Sequence, residues 1–445
     1  MNNPVYFIGI YFLLALSVGL YSFFRIKNSS DYYIAGKKAG LMMVSGSLLA
    51  TILGGSAILG TIELSQKTGW PAIWFLFCAS LGLFALAPIA RYVSRYGKYT
   101  LPELLGYFYG KKARITASVI IPVAWLGIIA AQIIAAAKIL SGLEITNYSW
   151  SAIIAGSIFI LYTLLGGQVS ILKTDLMQSL LILAGLAALA IFTVSSEFNY
   201  VKPSFSADDL FNESFGWLDL LILIMTYSVT FVVGPDIYSR IFCARNEKIA
   251  TRSIIIVAVA LIPVSGILVF LGIFSGYSGE TEIVRFASGI LPGWFYGLFL
   301  AALLSAVMSS ADTTLLTSSL ILSELINQNL EGSRSLAITR VLIVTLGILS
   351  ILISLFVTSI LQSLLLALTF FSGAFVLPML AGLLNIPVVR KQLMIAIVSG
   401  GFIALAGKII NLQGYPIAGN MIIIMSFFVN SGLMFINFKK ILSKT

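Results

Sequence analysis

The chain has 445 residues, 59% of them hydrophobic and only 10% charged, with a mean hydropathy of +1.02 and a formal net charge of +10. Soluble domains carry about 25% charged residues, so this composition excludes a water-soluble globular enzyme and points to an all-α integral membrane protein. Histidine is absent, which removes His-based proton relays, zinc sites and Ser-His-Asp triads; Cys78 and Cys243 stand far apart without metal-ligand spacing.

Apolar runs bounded by charge or turn residues predict thirteen spans, near 5–25, 40–64, 70–94, 115–141, 149–170, 174–196, 217–239, 253–277, 291–323, 337–358, 360–384, 391–411 and 417–438. No basic n-region precedes the first run, and Arg25 and Lys27 follow it. It therefore reads as a retained span with the N-terminus outside, not as a cleaved signal. Thirteen crossings put the C-terminus inside. All Lys and Arg except Lys67, Lys138, Lys202, Arg285 and Lys408 then fall in predicted cytoplasmic segments, Arg240 among them. That positive-inside bias accounts for the basic charge, so no nucleic-acid partner is expected. Lys138 is expected to snorkel outward, and the outer connector 197–216, with Glu197, Asp208, Asp209 and Glu213, reads as a solvated loop.

Polar groups inside the spans carry the functional signal. The second span contains Ala50-Thr51-Ile52-Leu53-Gly54-Gly55-Ser56, where paired glycines weaken the helix and free backbone groups. Such a break persists in a membrane only against protein or a wet cavity. The sixth span opens with Thr174-Asp175-Leu176-Met177-Gln178 after the cytoplasmic turn Gly166-Gly167-Gln168. From the residues alone, Asp175 reads as a helix N-cap at the interface. The seventh span has Thr226-Tyr227-Ser228-Val229-Thr230, then Gly234-Pro235-Asp236. Two interrupted spans, five apart and running in opposite directions, are the pattern of inverted repeats around a midplane site; packing motifs are the plain alternative.

The ninth span is the most informative, with Ala306-Val307-Met308-Ser309-Ser310-Ala311-Asp312-Thr313. At about 100° per residue, Ala306, Ser309, Ser310 and Thr313 share one face, with Asp312 flanking it. Hydroxyls beside a carboxylate offer hard oxygen ligands suited to an alkali cation; the plain alternative is interhelical hydrogen bonding.

Together with Tyr33-Ile34-Ala35-Gly36-Lys37, Tyr99-Thr100-Leu101-Pro102-Glu103, Asp236 with Arg240 and Ala244, and Gly373-Ala374-Phe375-Val376-Leu377-Pro378, these segments make residues 30 to 385 resemble the sodium:solute symporter family. The resemblance implies one transmembrane domain over 1–445 with a LeuT-like core of five plus five inverted helices. Residues 40–196 would form the first repeat and 217–384 the second, with an extra helix at 5–25 and two peripheral helices at 391–438. It also implies a sodium site made by the Ala50, Leu53 and Ala306 carbonyls with the Ser309 and Ser310 hydroxyls. A second sodium site would use Asp175, Ser309, Asp312 and Thr313, although Asp312 and Thr313 stand where the best-described such site has serines.

The expected activity is sodium-coupled symport of a small organic solute across the cell membrane by alternating access. Na+ is the coupling ion, with no organic cofactor; the partners are the solute and the lipid bilayer, and the chain is expected to act as a monomer. Gly54, Gly55 and Ser56 offer amides at a half-helix N-terminus, and Gln132, Tyr227, Thr230 and Phe371 are candidates to complete the solute pocket. Among 30 phenylalanines, Phe371 also reads as core. No Arg or Lys is expected beside the pocket, which argues against a strongly anionic solute. Proton coupling through Asp175 or Asp312 is the rival reading. A transporter-like sensor is a third, for which the sequence, ending at Thr445, shows no output module. An enzyme would need a nucleophile–base set, and none is seen.

Overall fold

The computed structural model describes residues 4–23, 29–96, 100–144, 146–196, 205–279, 282–327, 330 and 333–436. Arg25, Lys27, Lys98, Tyr99, Lys439, Lys440 and Lys444, together with Glu197 and Lys202 of the outer connector, lie outside the described residues. Among the described residues the chain is helical, with two isolated β-bridges and no strand.

In chain order the principal helices are α1 (Pro4–Phe23), α2 (Leu41–Ile52), α3 (Gly55–Thr68), α4 (Ile73–Leu86), α5 (Leu101–Tyr109), α6 (Lys111–Gly142) and α7 (Tyr148–Ser195). They continue with α8 (Trp217–Cys243), α9 (Glu247–Tyr277), α10 (Gly293–Ile326), α11 (Ser333–Phe356), α12 (Ile360–Leu383), α13 (Arg390–Leu412) and α14 (Pro416–Phe435). Among the described residues nine helices, α6 to α14, are long and apolar enough to cross a membrane. The pair α2 and α3, bent by 46° at its junction, passes the same test as one broken span. Shorter apolar helices lie at Tyr6–Ala15 and Trp70–Leu86.

α7 has 48 residues, which laid straight would reach about 72 Å, more than twice a bilayer's hydrocarbon core. It does not run straight. Gly167, at φ 54 and ψ −168, leaves helical geometry, and the Tyr162 hydroxyl lies 2.7 Å from Thr174 Oγ1. Those residues would stand about 18 Å apart along a continuous helix. The chain therefore folds back at the Gly166-Gly167-Gln168 turn, and α7 is two legs.

α10 is the central helix. Every residue from Phe299 to Ile321 is buried, as expected of a helix without a solvent face, and its main neighbours are α7 and α6. α13 and α14 pack chiefly on each other and on α12. At one end of α10, Glu324 pairs with Arg114 at the start of α6 and accepts from the Thr100 hydroxyl. Thr100 is also the N-cap of α5, in a capping box with Glu103. Lys138 does not snorkel freely: its Nζ lies 2.6 Å from Glu63 Oε1, joining α6 to α3.

Candidate ion and solute site

The break between α2 and α3 is built by close approach. Gly54 is extended at φ −64 and ψ 168, a conformation open to any residue, so its lack of a side chain matters for packing. A Cβ there would run into the Ser310 side chain, and one on Gly55 would run into Val307. Both glycines thus face α10. The last helical bond of α2 is Leu53 N to Leu49 O at 2.8 Å, which leaves the carbonyls of its final turn without successor amides. One of them, Thr51 O, accepts a 2.6 Å hydrogen bond from Ser310 Oγ. Ala50, Leu53 and Ala306 are fully buried beside this junction, and Ser310 nearly so.

Ser309, one residue earlier and about 100° round the helix, faces a different partner. Its hydroxyl donates to Asp175 Oδ1 at 2.6 Å. Asp175 Oδ2 accepts from Ser47 Oγ at 2.5 Å and pairs with Arg240 Nη2 at 3.0 Å. Arg240 also donates to Ser47 from Nε, to Ser239 from Nη1, and to Thr313 Oγ1. Thr313 Oγ1 in turn lies 3.5 Å from Thr51 Oγ1. The network therefore touches the end of α2.

Two expectations are corrected here. Asp175 is no N-cap: it sits well inside the second leg of α7, fully buried. Arg240 is not a loop residue: the segment Pro235–Cys243 is helical and turns the guanidinium inward, to 0% exposure. Its burial overturns the expectation that no Arg or Lys stands near the site. Nothing in the local sequence distinguishes an inward arginine from an outward one; the inward carboxylate that needs it lies 65 positions away. Asp312, buried to 1%, stands to one side of Asp175, Ser309 and Thr313 and accepts from Thr163 Oγ1 at 3.3 Å.

A cavity opens beside the junction, with Ser56, Gln132, Tyr227, Thr230 and Ser310 on its wall. The Gln132 amide ties α6 to the start of α3, donating to Ser56 Oγ at 2.7 Å and accepting from Ser56 N at 3.3 Å. Tyr227 stands on a π-helical turn, Ile224–Ser228, a distortion often found at functional positions. Gly234, extended, then interrupts α8. Three candidates are not on the cavity wall. Gly54 and Gly55 pack on α10, and Phe371, fully buried, backs the ring of Trp125 at 4.8 Å between centroids. Conversely Trp125, Thr314 and Asp236 are on the wall and were not singled out as solute contacts. For Trp125 a signal existed: it lies seven residues before Gln132, two turns away on the same face of α6.

Among the described residues, no group of three or more Cys, Asp or Glu side chains is placed to hold a metal ion. What the junction offers is neutral oxygen from carbonyls and hydroxyls, a donor set that suits a hard cation.

Known proteins place this architecture. Over 328 residues the chain is 26% identical to the sodium/pantothenate symporter of Escherichia coli, covering 65% of this chain and 64% of that one. It is 25% identical to the sodium/proline symporter of Haemophilus influenzae, covering 78% and 76%, and 26% identical to the human high affinity choline transporter 1, covering 70% and 59%. The chain thus spans less than two thirds of the length of the pantothenate and choline carriers. Among solved structures, a Na+-coupled sialic acid symporter in a substrate-bound outward-open state superposes with a TM-score of 0.77 at 17% identity, covering 97% of both chains. A nucleobase-cation-symport-1 transporter in a closed conformation gives 0.57 at 15% identity, covering 90% and 92%. At these identities the superpositions establish a shared fold. The profile of the sodium:solute symporter family matches residues 32–385, and the chain is a multi-pass membrane protein that belongs to that family.

Proposed function

We propose that the chain is a sodium-coupled symporter that carries a small organic solute into the cell by alternating access. Counting α1, the α2–α3 pair, α4, α6, both legs of α7, and α8 to α14 gives thirteen crossings. We read these as an N-outside, C-inside single domain with inverted repeats at 40–196 and 217–384 and peripheral helices at 391–438. The paired interruptions in α2–α3 and α8 favour this arrangement.

Sodium is assigned to the junction of α2 with α10, where the Ala50, Leu53 and Ala306 carbonyls and the Ser310 hydroxyl are candidate ligands; the Ser309 hydroxyl, expected in the same set, is turned to Asp175 and would have to rotate to join it. The observation that carries the assignment is Ser310 Oγ reaching Thr51 O at 2.6 Å across the break: a cation inserted there would share oxygens from both helices. It would stabilise the conformation in which they are joined, by as much as it prefers that conformation over the alternative. Ser56, Gln132, Tyr227 and Thr230 would receive the solute next to it. An inward sodium gradient, aided by about 2.3 kcal/mol per charge per 100 mV of membrane potential, would drive accumulation.

Of the second set, Asp175, Ser309, Asp312 and Thr313, two members already hold a cation of the protein's own: Asp175 and Thr313 take the Arg240 guanidinium. That favours one coupled sodium over two. The deciding experiment is uptake into proteoliposomes across a solute panel, with sodium, potassium or proton gradients imposed separately. Sodium-dependent accumulation of one solute supports the reading. Accumulation driven by a proton gradient without sodium would replace it with proton coupling, for which Asp312 is the available carboxylate.

A further inference from the structure

Asp236 has no place in the sodium junction or in the Arg240 network, yet it stands on the wall of the solute cavity. Its Oδ2 accepts one hydrogen bond, from Trp125 Nε1 at 2.8 Å. Its Oδ1 is closed off from solvent, with the Thr317 hydroxyl close by. The contrast with Asp175 is instructive, since that carboxylate is held by Ser47, Ser309 and Arg240. Arg240, one turn from Asp236, has its Nε, Nη1 and Nη2 engaged elsewhere.

The ordinary role for an acid in a first helical turn is to cap it or to complement its dipole. Asp236 occupies the first turn of the Pro235–Cys243 segment, but the N-cap there is Gly234, without a side-chain bond. A carboxylate met only by neutral groups, the Trp125 indole and the nearby Thr317 hydroxyl, is costly in a membrane core. The ion pairing makes the same point: the Arg240 guanidinium is taken by Asp175, and among the described residues no cationic side chain pairs with Asp236.

We infer that the solute supplies the cationic partner that Asp236 lacks: a positively charged nitrogen, as an ammonium or quaternary amine, seated against the Asp236 carboxylate. The walls suit such a group. Trp125, Tyr227 and Phe231 all border the cavity, and aromatic faces attract a desolvated cation. Further along α6, Gln132, with Ser56 at the start of α3, offers amide and hydroxyl groups to the uncharged or acidic end of the same molecule. The assignment rests on this cavity being the solute site.

The test uses the purified full chain in detergent and reads its melting midpoint. A rise in sodium chloride over potassium chloride reports the ion site independently of any solute. With sodium present, choline, glycine betaine and proline are compared with 3,3-dimethylbutan-1-ol, the uncharged carbon analogue of choline, and with glucose and pantothenate. At least one amine is expected to stabilise the protein with an affinity tenfold or more above its uncharged counterpart. Asp236→Asn should abolish that preference while keeping the sodium response. Equal stabilisation by the carbon analogue, a response confined to solutes without a cationic nitrogen, or no response to any amine despite an intact sodium response would each overturn the assignment. Loss of the sodium response in the parent chain would instead strike at the symport reading beneath it.

Discussion

Ser310 Oγ and Thr51 O, 2.6 Å apart, form a cross-link between an unbroken central helix and the frayed end of a broken one. A hydroxyl in this position can also serve as a cation ligand. Ser310→Ala removes one ligand and leaves the α2 carbonyls otherwise in place. The expected result is a sodium half-saturation at least tenfold higher, about 1.4 kcal/mol, the net worth of one such contact. Expression and melting in potassium should change little. Sodium titration of uptake checks this, and unchanged sodium affinity would remove Ser310 from the ligand set.

The closeness of α10 to the break gives a second prediction, concerned with packing. A Cβ at Gly55 would collide with Val307 and lie 3.0 Å from the Ala135 Cβ. Gly55→Ala should therefore destabilise by about 1–3 kcal/mol, the usual range for overpacking, and reduce uptake accordingly. Val307→Ala, added to it, vacates the colliding methyls and should restore most of the lost melting temperature. Without such rescue, the defect of Gly55→Ala would have to lie in backbone conformation.

Much of this arrangement is legible in the sequence because hydropathy and local spacing report it directly. The broken second span follows from Gly54-Gly55, the hairpin in α7 from Gly166-Gly167, and the distorted α8 from its polar run ending in Gly234-Pro235. The hydroxyl stripe on α10 follows from helical periodicity. What local reading misses is which way a side chain turns when its partner is remote. Arg240 resembles the cytoplasmic arginines beside it and is instead buried against Asp175. Asp175 resembles an N-cap because Thr174-Asp175 follows a turn region, although the helix has already begun before it. Phe371 and Trp125 differ in role only because one ring stands behind the other.

Two of the ion pairs outside the sodium junction, Arg240–Asp175 and Lys138–Glu63, should differ sharply in their worth. Arg240 and Asp175 are both essentially inaccessible, whereas Lys138 and Glu63 are 37% and 25% exposed in their side chains. Breaking a buried pair leaves an uncompensated charge and costs about 3–5 kcal/mol, while a partly exposed pair is worth about 0–1 kcal/mol. Arg240→Ala is expected to lower the melting temperature severely. Arg240→Ala combined with Asp175→Asn should be less destabilised than Arg240→Ala alone, because the orphaned carboxylate is gone. Glu63→Gln should melt close to the parent. Comparable losses in Arg240→Ala and Glu63→Gln would show that burial is not what sets the value of these pairs.

Asp312 offers a test of the proposal that one ion is coupled. It is buried on the face of α10 beside Ser309 but hydrogen-bonds to Thr163 on the first leg of α7, while the guanidinium of Arg240 takes Asp175 and Thr313. With that guanidinium in place, a second sodium would have to bind next to a fixed positive charge. The expected Hill slope for sodium in uptake is therefore about 1, and Asp312→Asn should leave it there while changing the overall rate. A slope approaching 2 that falls to 1 in Asp312→Asn would mean that a second sodium enters beside Asp312 and that Arg240 moves aside during the cycle.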